Sequence, residues 1–298
     1  MNVQCPLTKR YNTQRVAEIP VQYITEGYKK ELGVDVSRFL GRLETVHIYR
    51  CNDTGYRFYH PENIFGDAAF YAELQKISFY YAKWTWEHEM AWKNIEPGSS
   101  VLEVGCGTGC FMQSLVQRGF SIVGLELNEA AVNVCRSKGL TVWNELLEQH
   151  QGNHRNRYDV ICCFQVLEHV YDVHSFITCC LECLKPGGRL IVAVPNNNPW
   201  YFKYDQRHLL NLPPHHSGLW NKESFESLPR FFNLTLIQIM IEPLYNRVHL
   251  LQAWLQHHKW HRLRACVSGL RYGIVNRVMS PLRWFVDGKC VVAIFDKQ

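Results

Sequence analysis

Residues Val101 to Gly109 read VLEVGCGTG, and this stretch limits the fold of the chain most sharply. A short apolar run ends, three glycines follow at alternate positions, and a helical pattern starts at Cys110. A strand therefore stops, the backbone bends, and a helix begins with its first amides turned into the bend. Gly105, Gly107 and Gly109 admit positive φ there and let a ligand approach the backbone closely. The spacing departs from the dinucleotide fingerprint, whose third glycine falls three residues after its second. That position is Cys110, and the third glycine comes earlier, at Gly109. Glu103, two residues ahead of the first glycine, repels a phosphate and welcomes a cation. The cradle of Glu103, Gly105, Cys106, Gly107, Thr108 and Gly109 is therefore expected to hold a cofactor.

From Ser100 onward strands and helices alternate, the pattern of a doubly wound parallel α/β sheet. Strands are expected at Val101–Val104, Ser121–Glu126, Leu140–Trp143, Tyr158–Phe164 and Arg189–Val194. Later strands are expected at Leu234–Ile241 and Val291–Phe295. Helices are expected over Phe111–Gln117, from the cap Asn128 to Cys135, over Val173–Leu184 and over Ser224–Phe231. Glu126 ends the second strand at the offset of a ribose-binding acid, with Leu127 beside it. Ligands of open α/β sheets bind beyond the carboxyl ends of the strands. Phe164, Gln165 and the loop after them therefore face the site.

The G-x-G-x-G loop with its preceding acid resembles motif I of the class I S-adenosylmethionine (SAM) methyltransferases. Val166-Leu-Glu-His-Val170, followed by Leu184 to Asn196 (LKPGGRLIVAVPN), resembles the ubiquinone-biosynthesis O-methyltransferase type over roughly residues 100–240. The resemblance implies a seven-stranded Rossmann-like sheet closed by an antiparallel hairpin, and SAM as cofactor. It implies the amino-acid end of SAM in the glycine loop and the ribose on Glu126. It puts the adenine beside the end of the third strand, where Asn144 or Glu145 accepts from the exocyclic amine and Leu146 packs on the ring.

The acceptor side draws on two histidine features, Glu168-His169 and Pro213-Pro-His215-His216. An imidazole titrates near neutral pH and suits removal of a hydroxyl proton, so His169, His215 and His216 are the candidate bases. His169 as a loop-orienting residue is the competing reading. Some related small-RNA methyltransferases hold a divalent metal on Glu-x-x-Glu-His plus a distant His. Here the first acid of that pattern is Gln165, and no metal ligand is assigned. Asn196, Asn197, Asn198, Trp200 and Tyr201 are suited to bonding and stacking a polar ring. The expected reaction is SAM-dependent methylation of a hydroxyl on a small metabolite or glycan-type acceptor. The alternatives are C-methylation of a keto-sugar and a non-catalytic SAM-binding docking protein.

Flanking segments complete the expectation. Cys5-Pro-Leu-Thr8 and Cys51-Asn-Asp-Thr54-Gly55 have the offsets of two zinc knuckles whose second cysteines are threonines. Residues 1–66 thus resemble the zinc ribbon of sugar-modifying bacterial methyltransferases, with metal lost and shape kept, around a helical pattern at Ile19–Leu40. Residues 67–99 form an aromatic helical cap marked by Phe70, Tyr71, Leu74, Ile77, Tyr81, Trp84 and Trp92. Most of its rings are expected to pack on the sheet, while Tyr80, Tyr81, Glu87 and His88 are candidates for lining the site. The methyltransferase domain is 100–298. It carries a basic insertion at 244–286 with three tryptophans and no Asp or Glu, a candidate for peripheral contact with an anionic membrane. A net charge of +5 is too mild for a nucleic-acid binder. No apolar run reaches the roughly 18 residues of a membrane span. The first ten residues lack the apolar core of a signal peptide, and the 12 cysteines are scattered. A cytoplasmic protein with reduced thiols and no obligate protein partner is expected.

Overall fold

The computed structural model describes residues 3–74, 84–198, 208–244 and 286–298, with 251–252, 254–255, 257–260, 277 and 281 in between. The N-terminal part runs β1 (Thr13–Pro20), α1 (Val21–Gly27), α2 (Ser37–Leu40), β2 (Thr45–Cys51) and β3 (Arg57–His60). Helices α3 (Ala68–Leu74) and α4 (Trp86–Trp92) follow. The alternating part comprises β4 (Ser100–Val104), α5 (Cys110–Val116), β5 (Ser121–Leu125), α6 (Glu129–Ser137) and β6 (Val142–Trp143). It continues with α7 (Leu147–Asn153), β7 (Tyr158–Phe164), α8 (Val173–Cys183) and β8 (Leu184–Pro195). The last elements are β9 (Gly218–Leu219), α9 (Lys222–Glu226), β10 (Leu234–Pro243) and β11 (Asp287–Lys297).

The main sheet has seven strands in the order β10-β11-β8-β7-β4-β5-β6. Strands β4 to β8 are mutually parallel, and β11 is antiparallel to both β8 and β10. Alternate side chains point to opposite faces. Leu102, Val104, Ile161, Cys163, Leu190, Val192, Ala293 and Phe295 enter one core. Val101, Val160, Cys162, Ile191, Ala193, Val292 and Ile294 enter the other, against Phe111, Met112 and Leu115 of α5. Because helices cover both faces, the strands are apolar at nearly every position. β4 lies between β5 and β7, which opens a ligand crevice at its carboxyl end.

A second, antiparallel sheet has the order β1-β2-β3-β9. Its last strand comes from the far side of the main domain, with Phe58 opposite Gly218 and Arg57 opposite Leu219. The two cysteine turns at its base make matching hydrogen bonds. Lys9 N–H donates to Cys5 O and Gly55 N–H to Cys51 O, both at 2.9 Å. Thr8 Oγ1 accepts from the Arg10 amide and Thr54 Oγ1 from the Tyr56 amide. Cys5, Thr8, Cys51 and Thr54 are all buried, with Thr8 Oγ1 3.8 Å from Cys51 Sγ. A hydrogen bond between the two thiols, together with burial, pushes Cys5 up.

Several expected elements shift. Ile19–Leu40 is not helical throughout, because Thr13–Pro20 is a strand paired with β2. The helix starts only at Val21, after a proline whose fixed φ suits a helix start. The helix expected over Ser224–Phe231 is capped by Asn221 and stops at Glu226. Pro229 supplies no N–H, and Leu228–Arg230 is a 3₁₀ turn. The third strand shortens to Val142–Trp143. Ile77, Tyr80, Tyr81, Trp200, Tyr201 and most of 244–286 lie outside the described residues. No helix among the described residues is long and apolar enough to cross a membrane.

Candidate active site

A cavity of about 1040 Å³ opens at the carboxyl ends of β4, β5 and β7. At its floor the glycine loop folds onto β5, with the Gly105 and Cys106 amides both donating to Leu125 O at 2.8 and 3.0 Å. Gly105, Gly107 and Gly109 have φ of 73°, 53° and 75°, the left-handed region expected of them. Glu126 accepts from the Gly107 amide on one carboxylate oxygen and from the Asn128 amide on the other, each at 2.8 Å. A carboxylate has about four lone-pair sites, so both oxygens can still accept from a diol. Cys106 and Thr108 line the floor, and Leu127 lies at its rim, 57% exposed.

Glu103 is buried by the same alternation that buries Val101, and it reaches the cavity wall. One of its carboxylate oxygens has no hydrogen-bond partner among the described residues. Burial, then Cys135 and Glu126 nearby, push its carboxyl well above the usual range. Several acids line the cavity, Glu87, Glu145, Glu148 and Glu168 among them, and no Lys or Arg does among the described residues. Such a cavity suits a cofactor with positive groups and repels polyphosphates. The residues present therefore fit SAM, whose ammonium and sulfonium are both cationic.

Beyond β6, Glu145 and Leu146 line the cavity but Asn144 does not. The Asn144 amide instead donates to Glu126 O at 2.8 Å, tying the ends of β5 and β6 together. Glu145 is held by His150 Nδ1 at 2.6 Å, whose Nε2 pairs with the Tyr158 hydroxyl at 2.7 Å. Leu146 is 47% exposed and, with Leu127, offers apolar surface to a flat ring. On the opposite side Phe164 packs edge-on against Phe111 and His88. His88 lies in the cavity wall, pushed down to about 4 by burial, and Glu87 also lines the wall. Gln165 follows β7 at φ 54°, a left-handed conformation for a non-glycine residue of the kind found at functional sites.

At the far end the two histidine loops meet. The ring centroids of His169, His215 and His216 are 4.6–4.9 Å apart. Burial is the main cause that pushes His169 down to about 4 and His215 and His216 well below their ordinary value. All three are therefore neutral imidazoles at physiological pH. Glu168 is buried beside them, and burial pushes it up to about 8. Tyr71, expected to pack in the cap, faces this end edge-on to His169 and donates its hydroxyl to His215 O at 3.0 Å. Asn196 and Asn197 are buried in backbone and amide hydrogen bonds rather than turned to the cavity. Sequence reasoning missed His150 and Asn211. The only signal for Asn211 is a lone amide within the apolar run Leu209-Leu-Asn-Leu212.

A family described as a methyltransferase domain matches residues 78–239. The ubiquinone biosynthesis O-methyltransferase of Marinobacter nauticus is 34% identical over 138 residues, covering 42% of this chain. The chain spans 57% of that relative's length. The protein of the same name from Azoarcus is 32% identical over 168 residues, covering 48% of this chain and 72% of that protein. A solved SAM-dependent methyltransferase from Archaeoglobus fulgidus superposes with a TM-score of 0.50 at 16% identity. The match covers 70% of this chain and 90% of that one.

Proposed function

The chain belongs to the class I SAM-dependent methyltransferase family, and we propose that it methylates a hydroxyl oxygen of a small, largely apolar metabolite. One observation carries the reading. The cationic-cofactor cradle of Glu103, Gly105–Thr108 and Glu126 shares one cavity with three neutral imidazoles. SAM supplies an electrophilic methyl on a sulfonium, which becomes a neutral thioether as the S–CH3 bond breaks and the O–CH3 bond forms.

The chain's own residues do the rest. Glu103 would take the ammonium of SAM and Glu126 its ribose hydroxyls, with the three histidines lining the same cavity. Leu127 and Leu146 would hold the adenine, and Glu145, oriented by His150, would accept from its amine. His169 receives the acceptor proton. It is half-buried while His215 and His216 are buried, so it is the imidazole most open to a substrate. Its Nδ1–H donates to His215 O at 2.7 Å, which leaves the lone pair on Nε2. Positioning of the two reactants supplies much of the rate, and the base about 10²–10⁴-fold. The names of the curated relatives support an oxygen acceptor.

The test uses methyl-labelled SAM with a panel of small phenols and alcohols, with NMR and mass spectrometry of the products. An O-methyl product is expected, with turnover reduced at least about 100-fold in His169→Ala and SAM affinity reduced in Glu126→Gln. A C-methyl product, or wild-type turnover in His169→Ala, overturns the assignment.

A further inference from the structure

We propose that Cys106 and Cys135 form a modification site for hydroperoxides, which oxidise the two thiols to one disulfide beneath the glycine loop and so weaken the hold on SAM. The proposal rests on the reading of that loop and Glu126 as the SAM cradle.

Cys106 sits between Gly105 and Gly107, and Cys135 comes from the last turn of α6. Their sulfurs lie 4.0 and 3.2 Å from one shared acceptor, Gly107 O. Each sulfur fills a niche that a glycine leaves open. A methyl group added at Gly124 would lie 2.6 Å from Cys106 Sγ, and one added at Gly109 would lie 2.9 Å from Cys135 Sγ. The two thiols are also hydrogen-bonded to each other, which pushes Cys106 up and Cys135 down, with Lys138 helping to lower Cys135. Cys106 lines the cavity, so a small oxidant in the empty cradle meets this pair. The other hydrogen-bonded thiol pair, Cys5 and Cys51, is buried and lines no part of that cavity.

The thiolate is the attacking form of a cysteine. The Cys106 thiol loses its proton and its sulfur attacks one peroxide oxygen. The O–O bond breaks, the departing hydroxide takes that proton as water, and Cys106 carries a sulfenic acid. The Cys135 sulfur then attacks the sulfenic sulfur. The S–S bond forms, the S–O bond breaks, and the second hydroxide leaves as water with the Cys135 proton. Two thiols are oxidised by two electrons, and one hydroperoxide is reduced by two.

The disulfide leaves neither sulfur with a proton to donate. Gly107 O loses its bond from Cys135, and the amide of the same residue is the one that orients Glu126. Bringing the sulfurs to bonding distance draws Cys106 out of its niche over Gly124 and toward α6. The floor of the cradle and the ribose-binding carboxylate move together. By linkage, SAM disfavours the disulfide by the same factor by which the disulfide weakens SAM.

The full chain, reduced with dithiothreitol and then freed of it, is treated with hydrogen peroxide. Its proteolytic fragments are mapped by mass spectrometry without reductant, and SAM affinity is measured by calorimetry. The expected map joins the Cys106 fragment to the Cys135 fragment. SAM affinity falls about 10- to 100-fold, dithiothreitol restores it, and saturating SAM slows the joining. In Cys135→Ser no partner is left to trap the sulfenic acid, so Cys106 proceeds to sulfinic acid and dithiothreitol no longer restores binding. Cys5→Ser/Cys51→Ser behaves as the wild type. Circular dichroism and the affinity of each reduced variant establish folding, and the wild-type fragment map decides the matter where Cys135→Ser does not fold. A disulfide from Cys106 to Cys110, or only one from Cys5 to Cys51, overturns the site. A Cys106–Cys135 disulfide with unchanged SAM affinity, or full recovery of oxidised Cys135→Ser, overturns it too. A reduced chain that binds SAM and keeps that affinity through peroxide overturns this site alone. A reduced chain with no SAM affinity overturns the cradle reading instead, and the fragment map still decides the disulfide.

Discussion

A methyl group added at Gly105 would lie 2.3 Å from Val166 Cγ2, on a residue whose φ is +73°. Gly119 has a φ of +83° but no atom within 4 Å of the same position. The pair separates backbone strain from cradle geometry. Strain of about 1–2 kcal/mol is common to both alanine variants, and both should melt earlier. Only Gly105→Ala pushes the β4 loop and the β7 loop apart. SAM affinity measured by calorimetry should fall about tenfold or more in that variant and stay at the wild-type value in Gly119→Ala. Adding Val166→Ala to Gly105→Ala should recover part of the loss, because it removes the clash and leaves the strain. The glycine loop and the positions of Glu103 and Glu126 at the cavity were legible in the sequence because they follow from local conformation and from a short, fixed spacing. The histidines were legible as two loops. Their convergence was not, since nothing local in 165–170 or 213–220 dictates that the loops meet. Asn144 illustrates the same limit. The sequence leaves Asn144 and Glu145 as alternatives, because which side chain faces the cavity depends on the bond that Asn144 makes to the Glu126 carbonyl.

At the scale of elements, β4 is held at its start as well as at its glycine end. Asp159 of β7 accepts from the Ser100 amide at 2.9 Å and the Ser100 hydroxyl at 2.6 Å, and pairs with Lys185 Nζ at 2.8 Å. Lys185, then Ser100, hold its carboxyl down at about 2. A lowered carboxyl contributes stability above its ordinary value of 3.8 and loses it as pH falls toward 2. Asp159→Asn should therefore cost roughly 0.5–1 kcal/mol at neutral pH in urea unfolding, a modest value because the side chain is 39% exposed. The difference from wild type should vanish between pH 4 and pH 2. SAM affinity should not change, because the substitution lies at the opposite end of β4 from the cradle. The parallel strands were legible because both faces are covered and nearly every position is apolar. Two-residue β9 was not, since its pairing is decided by β3 and not by its own composition. Thr13–Pro20 was likewise missed, because its side chains are mostly exposed and leave little apolar alternation to read.

At the scale of the molecule, the N-terminal sheet and the SAM-binding sheet share a core. Val3, Leu7, Tyr49, Tyr56 and Phe58 belong to the same buried cluster as Trp220, Phe225 and the β8 and β11 side chains. Tyr56 packs on Trp220 with ring centroids 4.6 Å apart. Removing residues 1–66 should therefore not release a competent enzyme. The truncated chain is expected to be insoluble or to bind a hydrophobic dye strongly, with no cooperative melt by calorimetry. A soluble truncation with wild-type SAM affinity would show the two sheets to be independent.

The pairing of β3 with β9 also sets an order of assembly during synthesis. Arg57 finds its partner, Asn197 O, only 140 positions later in the chain. At about 5–20 residues per second, the ribosome takes roughly 10–30 s to deliver that partner. For that interval β3 is the open edge of a three-stranded ribbon, a template for pairing with a neighbouring nascent chain. The strand that finally covers it begins two residues after His216. Closure of the edge and placement of the histidine loop are therefore one late event, and crowded polysomes are where this protein is most exposed to mispairing.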